Sequence, residues 1–118
     1  MKKRMSAILP QDLPSHDFFE DLLARNRPDA VPQRFAPLVI VYFTAKWCGA
    51  CKRLDIPTLC QVRRDAMWYK CDVDLNNYTP GYCSVRTIPA FQAIVNGQPM
   101  PLLSSSDNAV VADWLAKL

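Results

Sequence analysis

Leu38-Val39-Ile40-Val41-Tyr42-Phe43, continued by Thr44-Ala45-Lys46-Trp47-Cys48-Gly49-Ala50-Cys51, is the stretch on which the fold turns. Every residue after Leu38 in the first run is β-branched or aromatic, and the run is apolar on both faces. Such a segment suits a central parallel strand covered by helices on either side. Beyond the cysteine pair the pattern turns helical: Cys51, Leu54, Leu59 and Val62 share one broad face with Thr58. Lys52, Arg53, Arg63 and Arg64 mostly point elsewhere. Pro57 lies inside this helix and predicts a kink or a missing hydrogen bond there.

Working outward toward the N-terminus, Pro28, Pro32 and Pro37 mark a connecting loop. Before it, Phe18, Phe19, Leu22 and Leu23 recur at helical spacing between Ser15 and Asn26. Ser15 is the expected N-cap, and Asp17, Glu20 and Asp21 lie in the early turns, where the helix dipole favours them. Ser6 to Leu9 reads as a short edge strand closed by Pro10. Toward the C-terminus, Ala66 to Val73 is a second long strand, and Asn76, Asn77, Pro80 and Gly81 punctuate a short helix or turn. Ala90 to Val95 is a third strand, and Asn96-Gly97 is a two-residue hairpin signal. Pro99 and Pro101 confine the returning strand to an edge. Asp107 or Asn108 caps a last helix whose stripe is Val110, Val111, Trp114, Leu115 and Leu118. The order β-α-β-α-β-α-β-β-α describes an α/β fold with a mixed central sheet. Residues 1–118 read as one domain, with 1–14 a partly disordered basic extension.

Half of the 118 residues are apolar and 21% are charged, a composition that folds rather than stays disordered. The net charge of +3 is that of Lys2, Lys3 and Arg4; the rest of the chain balances eleven basic against eleven acidic side chains. Without a basic stripe on the folded body, nucleic-acid binding is not expected. No apolar run approaches the ~20 residues of a membrane span, so no membrane partner is expected. Met5 to Leu9 is shorter than the apolar core of about 7–15 residues in a secretory leader. Five cysteines with one close pair do not resemble a secreted disulfide framework. A reducing, cytoplasmic setting follows as the expectation.

In such a setting Cys48-Gly49-Ala50-Cys51 is catalytic or metal-binding. Zinc would need a second close pair, whereas Cys60, Cys71 and Cys83 are spaced eleven and twelve positions apart and His16 is the sole histidine. No metal is expected. A strand end followed by a helix start sets Cys48 at an exposed helix N-terminus, where free N–H groups lower a thiol pKa from ~8.5 toward ~7 or below. Cys51, three residues on, falls within disulfide reach, so Cys48 reads as the attacking thiol and Cys51 as the resolving one. Gly49 and Ala50 are too small to hide the sulfur.

Val85-Arg86-Thr87-Ile88-Pro89 precedes the third strand, with Pro89 forty-one residues beyond Cys48. An X-Pro bond before a strand is a candidate cis peptide, although trans is the ordinary form. A cis bond would free the Ile88 N–H and C=O to pair with an extended substrate.

Taken together, VIVYFTAKWCGACKR (Val39 to Arg53) resembles the thioredoxin pattern V-D-F-W-A-x-W-C-G-P-C-K, and Val85 to Pro89 resembles that family's V-R-x-I-P loop. Tyr69-Lys70-Cys71-Asp72-Val73-Asp74 is similar to its x-K-x-x-V-D segment, and Asn96-Gly97 falls at its hairpin. The resemblance runs from about Val39 to Gly97. It implies a thioredoxin fold of about five strands and four helices, and a cis Pro89. It also implies a protein dithiol–disulfide oxidoreductase acting on disulfide-containing proteins and recharged by a separate electron-donating reductase. The resemblance assigns Trp47, Gly49, Ala50, Ile88 and Pro89 to the substrate surface around Cys48 and Cys51. With only Gly49, Gly81 and Gly97 there is no nucleotide-binding fingerprint, so no cofactor is expected, and the chain is expected to be a monomer. The alternatives are a binding module using the Trp47/Pro89 groove with little redox turnover, and a glutathione-using, glutaredoxin-like activity.

This chain departs from the pattern in four places. Tyr42 stands where thioredoxins carry a buried aspartate; a phenol with an ordinary pKa of about 10 is a poor base at neutral pH. Cys51 would then be activated through water or Lys70, or Tyr42 simply fills the core. Ala50 replaces a proline, which should make the disulfide somewhat more oxidising. Ser105 replaces a glycine beside the groove, and Pro57 falls one position later than the family's helix proline. Cys60 and Cys71 read as small core residues, as do Trp68 and Trp114. Cys83, six residues before Pro89, is the candidate regulatory thiol, either exposed and oxidisable or buried like the others.

Overall fold

A computed structural model describes residues 9–23 and 37–118. The apolar run predicted to be central is β2 (Leu38–Thr44), buried along its length except at Thr44. It pairs in parallel with β3 (Met67–Asp72) and antiparallel with β4 (Ala90–Val95). Outside β3 lies β1 (Gln11–Asp12), and outside β4 lie β5 (Gln98–Pro99) and β6 (Leu103–Ser104). The sheet is mixed, as expected, with one short strand more than the sequence suggested. The proposed strand at Ser6–Leu9 falls mostly outside the described residues; Leu9 is not in a strand, and the first strand follows Pro10 instead. Thus part of the stretch read as an N-terminal extension belongs to the sheet.

Alternation along β2 divides the core between the two faces of the sheet. Leu38, Ile40 and Tyr42 join Leu59 and Cys60 of α2 (Ile56–Val62) and Val111 and Leu115 of α4 (Asn108–Ala116). Val39, Val41 and Phe43 join Phe19 of α1 (His16–Asp21) with Leu22 and Leu23. Ser15 caps α1, its Oγ accepting the Phe18 N–H at 3.1 Å. The described helix stops at Asp21, and the last part of the stretch read as helical, 24–26, lies outside the described residues. The lone histidine, His16, ties α1 to α3 (Tyr78–Tyr82): its ring nitrogens lie 2.9 Å from Thr79 Oγ1 and 2.8 Å from Glu20 Oε2.

Pro57 does not kink a helix interior. The chain after the cysteine pair makes only a 3-10 turn at Cys51–Arg53, then extends at Leu54, with ψ 136°. Asp55 starts a new helix, its carboxylate accepting the Thr58 N–H, and Pro57 sits in the first turn, where no N–H is required. Asn108 holds this break against α4: its Oδ1 accepts the Asp55 N–H at 2.7 Å and its Nδ2 donates to Arg53 O at 2.9 Å. The single-helix reading therefore fails at a side-chain cap, and Val62, assigned to the inner face, is 38% exposed. Val110 of the predicted α4 stripe is likewise exposed, while Val111 and Leu115 carry the burial. Asn96 and Gly97 take φ of 51° and 81°, as the two-residue hairpin requires. Trp68 is buried, its indole N–H donating to Arg63 O at 3.1 Å, and Trp114 packs on the same core from its rim.

Candidate active site

β2 ends at Thr44, and the chain turns tightly enough for the Cys48 N–H to reach Ala45 O at 3.1 Å. Cys48 and Cys51 are joined by a disulfide, with their Cα atoms 5.3 Å apart. The Cys51 N–H points at Cys48 Sγ across 3.0 Å, and the Ile88 carbonyl oxygen lies 3.8 Å from the same sulfur. The Ile88–Pro89 peptide bond is cis. Ala45, Cys48 and Cys51 form a small apolar cluster of their own, against which Ala50, Val73 and Ile88 pack. The three sequence-distant segments, the cysteine loop, the β3 end and the Pro89 loop, thus meet at one point.

Cys48 is not exposed as the sequence suggested: both cysteines are only 4% accessible. The tight turn and the short 3-10 segment tuck the sulfurs against Ala45 rather than presenting them on the tip of a long helix. A Cβ built on Gly49 would meet nothing within 4 Å, so the surface above the disulfide is open on that side. Trp47 is 67% exposed, and its indole Nε1 donates to Asp74 Oδ2 at 2.8 Å. Asp74 was not singled out from the sequence, although it ends the Val73-Asp74 pair of the quoted strand segment. A position next to the nucleophile in space but 27 residues away in sequence gives no local signal.

Tyr42 is buried and stacks on Phe91, with ring centroids 5.1 Å apart. Burial pushes its phenol above the ordinary tyrosine range, against a smaller opposing pull from the Thr44 hydroxyl. Lys70 is level with Tyr42 in the parallel ladder and forms a loose 3.7 Å ion pair with Asp12 at the surface. Both residues border a cavity of about 210 Å³ that also touches Ala45 and Asp72.

Cys83 is half-buried against the α1 face of the core, away from the small cluster around the disulfide. Burial, with a further contribution from nearby Cys71, pushes its thiol up to about 12. Cys60 and Cys71 are buried and are pushed up to about 12 by the same desolvation. Cys83, in the turn after α3, thus lies between the exposed and the buried readings, less covered than Cys60 and Cys71.

A family model described as thioredoxin matches residues 24–117. The chain is 30% identical over 83 residues to a thioredoxin from Gallus gallus, covering 69% of this chain and 79% of that one. It is 32% identical over 84 residues to a thioredoxin from Rickettsia typhi, covering 67% and 79%. Among solved structures, thioredoxin from Trypanosoma brucei brucei shares the fold with a TM-score of 0.78 at 19% identity, over 99% of this chain and 96% of that one. With its Cys48–Cys51 disulfide set between the end of the central strand and a cis-proline loop, the chain belongs to the thioredoxin family of dithiol–disulfide oxidoreductases.

Proposed function

We propose that Cys48 attacks and Cys51 resolves. In the reduced chain the Cys48 thiolate displaces one sulfur of a substrate disulfide, forming a mixed disulfide and releasing one substrate thiolate. The Cys51 thiolate then attacks Cys48 Sγ, releasing the second substrate thiolate and closing Cys48–Cys51. Two electrons pass from the dithiol to the substrate. The observation that carries the assignment is the Cys51 N–H aimed at Cys48 Sγ: a donor there stabilises negative charge on Cys48 and none on Cys51. In Cys51→Ser the first step should proceed and the second stop, leaving substrate bound to Cys48 as a stable mixed disulfide visible by intact mass. Substrate bound instead through Cys51 in Cys48→Ser, and none in Cys51→Ser, would reverse the assignment.

Trp47, Gly49, Ala50, Ile88 and Pro89 form the substrate surface in this reading, with Trp47 as an exposed apolar platform held by Asp74. Tyr42 is a core residue, since its raised pKa leaves it protonated at neutral pH. The proton of Cys51 leaves through water, with Lys70 at the cavity beside Tyr42 as the tuning charge. The chain works as a monomer in a reducing, cytoplasmic compartment, where a separate reductase returns two electrons to the disulfide. Three free cysteines support that setting, because an oxidising one would favour their pairing. The binding-module alternative is not favoured, because the two sulfurs are already within bonding reach.

A further inference from the structure

A cleft of about 200 Å³ lies beside the cis-proline loop, walled by Ala50, Ile88 and Pro89 on one side. Four hydroxyl-bearing residues, Thr87, Ser104, Ser105 and Ser106, make the rest of its lining. The antiparallel ladder explains the convergence: Phe91 pairs with Leu103 and Ala90 with Ser104. Continued past the ladder's end, the same count brings Ser105 level with Pro89 and Ser106 level with Ile88. Ser105 Oγ accepts the Asp107 N–H at 3.0 Å and keeps its own proton to donate. No hydrogen bond joins the hydroxyls of Thr87, Ser104 or Ser106 to any described residue. Ile88 itself makes no backbone–backbone hydrogen bond among the described residues, which leaves its N–H for an extended chain, while its carbonyl oxygen lies 3.8 Å from Cys48 Sγ, where that chain's cysteine would bind.

We infer that this cleft is a specificity pocket selecting disulfide substrates with a neutral, hydrogen-bonding side chain, of the Asn, Gln, Ser or Thr type, next to the attacked cysteine. The inference rests on the redox reading above. A peptide paired with Ile88 sets a side chain adjoining its cysteine against Ser105 and Ser106. An amide or hydroxyl there exchanges hydrogen bonds with the lining groups. An aliphatic side chain would cover the hydroxyls and leave them without partners, and a site equipped to hydrogen-bond rejects such an analogue. A charged side chain finds no opposite charge in the lining, so it too is disfavoured.

The test uses homodimeric disulfide peptides in which both neighbours of the cysteine are Gln, Leu or Glu. Their reduction by the pre-reduced full chain is followed as kcat/KM, with Cys48→Ser as the comparison. The Gln peptide should be preferred over Leu and over Glu by about fivefold or more. In Thr87→Val/Ser105→Ala/Ser106→Ala the Gln-to-Leu ratio should fall toward one, and Ser106→Ala alone should lower it part of the way. Equal kcat/KM for the three peptides in the native chain, or a ratio that survives both variants, overturns the pocket while leaving the redox reading intact. No reduction of any peptide beyond the Cys48→Ser level overturns both.

Discussion

The Trp47 indole N–H is bonded to the Asp74 carboxylate at 2.8 Å, joining the residue before the nucleophile to the loop that follows β3. This one bond fixes the plane of an exposed aromatic ring that would otherwise turn freely in solvent. Asp74→Ala should therefore act on substrate capture more than on folding. The expected result is a three- to tenfold fall in kcat/KM carried by KM, with a stability change of about 1 kcal/mol or less. Steady-state reduction kinetics alongside urea unfolding would show it; a loss confined to kcat would argue against the platform role.

Tyr42 separates two accounts of the resolving step. Tyr42→Phe keeps the stack on Phe91 and removes only the hydroxyl, so the pH profile of disulfide reduction should be unchanged. Tyr42→Asp puts a carboxyl in the buried position. Burial raises that carboxyl above its unfolded value of about 3.9, so the unfolded state ionises first and stability falls as pH rises from there. At neutral pH the loss should reach about 2–4 kcal/mol, with a new inflection in the pH–rate profile. A profile altered by Tyr42→Phe would show that the phenol does take part.

Cys60, Cys71 and Cys83, each held up to about 12, remain protonated in the folded chain where the unfolded chain's thiols ionise near 8.5. The folded state then binds more protons, so their contribution to stability is complete below about pH 8.5 and is lost as pH climbs toward 12. Unfolding free energy measured from pH 8 to pH 11 should fall, and less steeply in Cys60→Ser. At pH 8, iodoacetamide should label Cys48 of the reduced native chain and leave Cys60, Cys71 and Cys83 unlabelled, and it should label all five after denaturation. A label on native Cys83 would favour its reading as an accessible, regulatory thiol.

Asn108 bridges the break in the chain between the cysteine loop and α2. Asn108→Ala removes two hydrogen bonds to backbone groups, those of Asp55 and Arg53, and should cost about 1–2 kcal/mol in urea unfolding. Asp55→Ala, which removes the α2 cap, should cost about 1 kcal/mol. Neither loss would be expected if one continuous helix ran from Cys51 to Val62.

Much of this architecture was legible in the sequence because it is written in local pattern. An apolar run of β-branched and aromatic residues makes β2 central, Asn96-Gly97 makes a hairpin, and Cys48 and Cys51 carry their chemistry in their spacing. The misreadings have a common cause. The capping carboxylate of Asp55 outweighs helical periodicity across residues 51–62, and nothing in the period reveals that a helix restarts. Val62 and Val110 fit the helical period read from the sequence, yet they are 38% and 45% exposed. The partnership of Trp47 with Asp74 and the covering of the Cys48 sulfur are long-range outcomes. They depend on where β3 and the Pro89 loop come to rest beside the cysteine loop.

The most direct measurement is dithiothreitol-driven insulin reduction by the native chain and by Cys48→Ser. The account predicts clear acceleration by the native chain and, for the variant, the rate of dithiothreitol alone. Equal rates for the two proteins would contradict it.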